Sequence, residues 1–169
     1  GLYAAIDIGA GTTDVAIFRY CDKHAVKDVA YYMADTDLVG GDNMDISIMK
    51  LVTDGNNEIT ETKMKLLSYI RHSKRNFDET DGLFLYNKRY DSHSIVAATK
   101  SDLDRIYSHY RRTWGKGYQK EMRPDHWEDL NILLLGGCNK LSYVNRRFSQ
   151  DNPSRDFLGI IKKLQLHPI

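Results

Sequence analysis

The sequence predicts an α/β fold: a mixed sheet flanked by helices, with a smaller α+β lobe inserted. Three observations carry this. Apolar runs rich in Ile, Val and Ala open the chain at 2–8, 14–20 and 26–34. A continuous apolar run, Asn131-Ile132-Leu133-Leu134-Leu135, returns near the end, of the kind buried on both faces of a sheet. Between them the chain changes character, with helix-spaced apolar positions set among Lys and Arg.

The elements follow in order. In 26–34, Val29, Tyr31 and Met33 alternate with Ala30 and Tyr32, which is the period of a strand. A loop at 35–42 ends in Gly40-Gly41-Asp42. Asp42 or Asn43 suits the N-cap of a helix carrying Met44, Ile46, Ile48, Met49 and Val52, which stops near Asp54-Gly55-Asn56-Asn57. Residues 59–77 read as a helix with Met64, Leu67, Ile70 and Phe77 on its apolar face. Segments 83–87 and 94–99 are strand candidates forming a second hairpin. Thr99 or Ser101 then caps a helix at 102–114, with Leu103, Ile106 and Tyr110 at helical spacing. Gly115-Lys116-Gly117 interrupts it. After 131–135 come Gly136-Gly137-Cys138-Asn139-Lys140, a helix through Leu141, Val144 and Phe148, and a last helix at 157–164. This order predicts a core lobe of 1–56 and 128–169 and an insert of 57–127.

Composition narrows the function. The 169 residues carry a formal net charge of +1, so there is no electrostatic case for nucleic acid or an acidic membrane surface. Cys21 and Cys138 are too few and too far apart for a disulfide framework or a zinc site, and read as reduced thiols of a cytoplasmic protein. No run approaches the roughly 20 apolar residues of a membrane span, and no signal peptide is visible. The histidines have no ligand spacing. The chain opens on Gly1, almost on top of a core strand, which suggests a piece of a longer protein.

The candidate site starts at Asp7-Ile8-Gly9-Ala10-Gly11-Thr12-Thr13-Asp14. Its small residues let the backbone approach a ligand closely, and successive N–H groups in such a turn form an anion-binding concavity. Thr12 and Thr13 add hydroxyl donors. Asp7 and Asp14 repel bare phosphate and make sense with Mg²⁺ between. A carboxylate ending a buried apolar strand is also costly without a partner. The alternative reading of the segment alone is an ordinary tight connection between two buried strands. Two further glycine turns, Gly40-Gly41-Asp42 and Gly136–Lys140, sit at a helix start and a strand end, where they can converge on one ligand.

In this order the three turns resemble the second half of the actin/DnaK/sugar-kinase ATPase superfamily, of ribonuclease H-like fold. The opening is similar to its second phosphate motif. Leu38-Val39-Gly40-Gly41-Asp42-Asn43-Met44-Asp45 resembles the Leu-Gly-Gly-Glu-Asp-Phe-Asp of the heat-shock 70-kDa (DnaK-type) chaperones, and Ile132–Leu141 their adenosine motif. The resemblance implies ATP or ADP with Mg²⁺ as cofactors. It implies that Asp7 holds the metal through water, and that Gly9, Ala10, Gly11, Thr12 and Thr13 wrap the phosphates. Asp7, Thr12 and Asp14 become the catalytic candidates. Gly40 and Gly41 line the ribose and phosphate region, Lys74 and Arg75 reach adenosine, and Gly136, Gly137 and Lys140 flank the base.

The chain departs from that pattern at four positions. Ala10 stands at the middle loop glycine, Lys140 replaces an arginine, Arg71 falls where a glutamate is usual, and Asp78 where a serine is common. Lys74 and Arg75 are also compatible with a solvated helix face. The implied partners are a preceding ATPase lobe of the same parent chain and, in a chaperone, a peptide-binding domain or co-chaperone. An actin-like filament protein of the MreB, FtsA or plasmid-partition kind and a degenerate, non-hydrolysing binding module are the alternatives.

Overall fold

The structure, a computed structural model, describes residues 1–23, 26–54, 62–77, 80–85, 88–121 and 130–149. Its elements run β1 (Leu2–Ile8), β2 (Thr13–Lys23), β3 (Val26–Asp37), α1 (Gly41–Asp54), α2 (Lys63–Ser73), β4 (Leu83–Leu85), β5 (Lys88–Tyr90), α3 (Ser92–Glu121), β6 (Leu130–Leu135) and α4 (Ser142–Ser149). Short 3-10 turns follow α2 and β6, at Lys74–Asn76 and Gly137–Lys140. The expected helix at 157–164 and the departure at Asp78 lie outside the described residues.

The main sheet has the order β3-β2-β1-β6. β1 pairs antiparallel with β2 and parallel with β6, so the sheet is mixed. Alternation along β1 separates two faces. Leu2, Ala4, Ile6 and Ile8 are buried and join Val15, Ile17, Met44, Ile106, Tyr110 and Trp114 in the principal core. Each Val, Leu, Ile or Met among them contributes about 1.5–3 kcal/mol by leaving water. A second apolar cluster, with Ile48, Val52, Leu66, Ile70, Leu83 and Ile95, joins α1 and α2 to the β4–β5 hairpin.

The other face of the sheet carries three cross-strand rows. Tyr3, Phe18 and Tyr31 form an aromatic row, with centroids 5.4 and 5.9 Å apart. Ala5, Ala16 and Ala34 form the next, and Asp7, Asp14 and Thr36 the third. A register shift between Ile17 and Phe18 separates the aromatic row from the others. It does what bulges do, aiming one end of the strand independently of the other.

Three expectations are corrected. Residues 94–99 are helix, not strand: Asp91 caps α3 by accepting from the Ser94 amide and hydroxyl, both at 2.9 Å. The cap thus sits well before Thr99 or Ser101, and Thr99 instead donates back to the Ile95 carbonyl at 2.9 Å. Gly115 and Gly117 do not interrupt α3. Each costs about 1 kcal/mol against alanine, which burial of Thr113 and Trp114 in the same turn offsets. Finally, α1 starts at Gly41, ahead of both N-cap candidates. Asn43 caps it from inside, its Oδ1 accepting from the Gly40 amide at 2.9 Å in the manner of half a capping box.

Candidate functional site

Two of the glycine turns are stitched into one. Within the first, the Gly9 amide donates to the Thr12 carbonyl at 2.9 Å. The first amides of α1 then close on it: Gly41 N–H donates to the Gly9 carbonyl at 2.9 Å and Asp42 N–H to the Ala10 carbonyl at 2.7 Å. Thr13, fully buried, ties β2 to the same place by donating from Oγ1 to the Val39 carbonyl at 2.7 Å. A β-carbon on Gly40 would lie 2.7 Å from both the Gly9 and Ala10 carbonyl oxygens. Residue 40 is glycine because the two backbones touch there.

This arrangement redistributes the expected roles. The leading amides of α1 are used on the hairpin turn and are not free for an anion. The Ala10 and Gly11 amides, by contrast, donate to no group among the described residues, and a β-carbon on Gly11 would meet nothing within 4 Å. The open part of the site, with unused amide donors, is therefore the tip of the β1–β2 turn.

The third turn closes on the same point. Gly136 has φ +84°, a conformation that L side chains avoid. A β-carbon there would lie 2.2 Å from the Ile8 carbonyl and 2.6 Å from Asp7 Oδ1. Cys138 Sγ packs against Gly41, 2.8 Å from where its β-carbon would be. Gly137 faces open space. The side chain of Lys140 lies outside the described residues.

Asp7 and Asp14 face each other across β1 and β2, and both are exposed. The strand period turns Asp7 to the outer face, so its cost is repulsion from Asp14 rather than burial. Asp14 accepts from Thr36 Oγ1 at 2.5 Å and from Thr12 Oγ1 at 3.3 Å. Below this row lies a depression of about 500 Å³ lined by Ala5, Asp7, Asp14, Ala16, Ala34 and Thr36 among others. Among the described residues no three His, Cys, Asp or Glu side chains are grouped to hold a metal ion. Two accessible carboxylates fit Mg²⁺ only if phosphate oxygens and water complete its shell.

Lys74 and Arg71 are committed elsewhere. Lys74 Nζ pairs with Asp45, a residue 1% exposed, and lies 3.3 Å from the Gly41 carbonyl. Arg71 reaches Asp42 at 2.7 Å and Asp45 at 3.5 Å. The pair bolts α2 to the start of α1. Arg75 is exposed in the 3-10 turn that follows α2. Burial pushes the Cys138 thiol above its ordinary value, with nearby Lys74 pulling the other way.

A second electrostatic group went unseen in the sequence. Arg105 and Arg112 of α3 reach Asp37 at 2.8 and 3.8 Å, and Lys116 reaches Asp35 at 3.4 Å. His109 Nε2 lies 3.3 Å from the Asp35 carbonyl. The Arg105 hydrogen bond holds Asp37 below the usual carboxylate range, and the Thr36 amide followed by Lys116 does the same for Asp35. The signal was available: continuing the alternation of β3 to Asp37 puts Thr36 on the face of Asp14.

With this geometry the chain is similar to the solved structure of a pCBH ParM non-polymerisable quadruple mutant, over 90% of its length with a TM-score of 0.57. The fold is actin-like. Sequence identity is 19%, and the chain spans 40% of that structure's length, so the likeness concerns architecture and not activity. No family model and no curated protein matches the sequence. Among the described residues no helix is long and apolar enough to cross a membrane.

Proposed function

We propose that the chain is the second lobe of a two-lobed, Mg²⁺-dependent ATPase of actin-like architecture. It hydrolyses ATP only together with a preceding lobe of the same parent chain. The observation that carries this reading is the convergence of three glycine turns on the end of β1, next to the open amides of Ala10 and Gly11. Those amides and the Thr12 hydroxyl cradle the β/γ-phosphates. Asp7 and Asp14 order the metal's water shell and the attacking water. Gly136, Gly137 and Lys140 border the nucleoside, with the exposed Arg75 on the insert's side, while Lys74 acts from behind by holding Asp45 and the start of α1. When bound, Mg²⁺ supplies charge neutralisation at the phosphates.

Two branches of the superfamily remain in play. The Leu38–Asp45 and Ile132–Leu141 segments favour the DnaK-type branch, with its peptide-binding domain and co-chaperones. The likeness to ParM, whose solved form is described as non-polymerisable, favours a filament protein. Sedimentation of the full-length polypeptide with and without ATP separates them, since only the filament protein pellets with nucleotide.

The central test is calorimetry and hydrolysis on that full-length polypeptide with ATP, ADP and Mg²⁺. Asp7→Asn is expected to slow hydrolysis on the order of 100-fold at an unchanged melting temperature. An unchanged rate removes Asp7 from the site, and nucleotide binding without turnover identifies a non-hydrolysing module. Robust turnover by the isolated 169-residue chain overturns the two-lobe reading.

A further inference from the structure

We infer that Thr36 is a positioning residue that sets the Asp14 carboxylate, and that the cationic face of α3 holds Thr36 in place. The inference rests on the phosphate-site reading above and adds a residue that none of the three turns contains. Asp14 has one hydroxyl on each oxygen: Thr36 on Oδ1 at 2.5 Å and Thr12 on Oδ2 at 3.3 Å. The two differ in what holds them. Thr12 sits in the turn that wraps the phosphates, whereas Thr36 stands on a strand, paired directly with Asp14 in register. A β-branched side chain on a strand has few rotamers, so its hydroxyl is aimed in advance.

Asp14 needs such a holder. Its neighbour across β1 is Asp7, and like charges in directly opposed positions repel. Without Thr36 the carboxylate keeps only the longer bond from Thr12 at 3.3 Å and can turn away from Asp7 and from the depression. Hydrogen-bonded to Thr36, it presents its remaining lone pairs to the space a metal's water shell or an attacking water would fill.

The two neighbours of Thr36 on β3 are pinned on the opposite face. Asp37 is held by Arg105 and Arg112, and Asp35 by Lys116. Three cations from one helix thus fix the strand end from behind, while its single outward hydroxyl fixes Asp14 in front. The chain of contacts runs from α3 through β3 to a carboxylate on β2.

The test is steady-state ATP hydrolysis by the full-length polypeptide carrying Thr36→Val or Thr36→Ser. Valine keeps the branched shape and removes the hydroxyl, and serine keeps the hydroxyl. Thr36→Val is expected to lower kcat about tenfold, the lower end for loss of an outer-shell partner. KM for Mg·ATP should change less than about twofold, and Thr36→Ser should recover most of the rate. The Asp14→Asn/Thr36→Val double variant should be no slower than Asp14→Asn alone, because the two act as a unit.

A wild-type kcat in Thr36→Val, equal losses in the Val and Ser variants, or additive losses in the double variant overturns the assignment while leaving the ATPase reading intact. A wild-type protein with no Mg²⁺-dependent hydrolysis overturns both.

Discussion

The Asp7 carboxylate occupies the space that a side chain on Gly136 would need: a β-carbon there would come within 2.6 Å of Asp7 Oδ1. It would also lie 2.2 Å from the Ile8 carbonyl, so β1 and β6 could not keep their spacing. Gly136→Ala therefore combines backbone strain of about 1–3 kcal/mol with displacement of the acidic residue. A loss of about 3 kcal/mol corresponds to a melting temperature lower by roughly 6–12 °C in a domain of this size. Gly137→Ala, whose β-carbon meets nothing within 4 Å, is the control and should melt like wild type. Equal melting of both variants would show that the close approach at residue 136 does not exist.

Asp45 and Lys74 give a second prediction. Asp45 is buried and Lys74 is its main partner, with Arg71 more distant. Lys74→Met leaves a buried carboxylate short of its cation, a loss of about 3–5 kcal/mol. Lys74→Met combined with Asp45→Leu should be more stable than Lys74→Met alone, as measured by urea unfolding. A single variant as stable as wild type would mean that the pair does not hold α2 to α1.

The carboxylates at the end of β3 predict acid sensitivity. Arg105 holds Asp37, and the Thr36 amide with Lys116 holds Asp35, below their ordinary values. The folded state therefore binds protons less readily than the unfolded chain. The stabilisation is complete above about pH 4, the unfolded value, and fades as pH falls through the lower folded values. Asp35→Asn/Asp37→Asn should lose less stability than wild type between pH 5 and pH 3. Parallel curves for the two proteins would remove these ion pairs from the acid transition.

Cys138 is buried and its thiol is pushed up by that burial, whereas Cys21 is half-buried. Since the thiolate is the reactive form, iodoacetamide at pH 8 should label Cys21 first, with Cys138 modified only as the protein unfolds. Peptide mass spectrometry over a time course reads this directly. Early labelling of Cys138 would mean that the turn between Gly136 and α4 opens in the native state.

Much of this was legible from residue pattern alone. The apolar run at 2–8 and the Gly-Thr run that follows define the hairpin, and the order of the three glycine turns led to the fold. What failed did so where local signals conflict. Ile95-Val96-Ala97-Ala98-Thr99 is a short apolar run that suits strand or helix equally. The Asp91 cap decides it, together with burial of Ile95, Thr99, Leu103 and Ile106 at helical spacing. Asp7 ends an apolar strand yet is exposed, because only the phase of the alternation tells which face it takes. Asp45 gave no sign of burial, since its partners Lys74 and Arg71 come from another helix. The clasp of Gly40 onto Gly9 and Ala10 is a meeting of two backbones that no residue spacing announces.

The length of α3 has a mechanical meaning. Thirty residues at 1.5 Å each make a rod about 45 Å long. Ile95 near its start packs in the smaller apolar cluster, and Leu103 to Trp114 pack in the larger one. The smaller apolar cluster is thus splinted to the sheet rather than hung from it. It cannot tilt as an independent flap unless the rod bends, and the glycines at 115 and 117 put the softest stretch beyond the joint, toward the rod's far end. Leverage on the smaller cluster is delivered through α3 to the end of β3, where Arg105 holds Asp37 and Asp37 pairs in register with Thr13 at the start of β2.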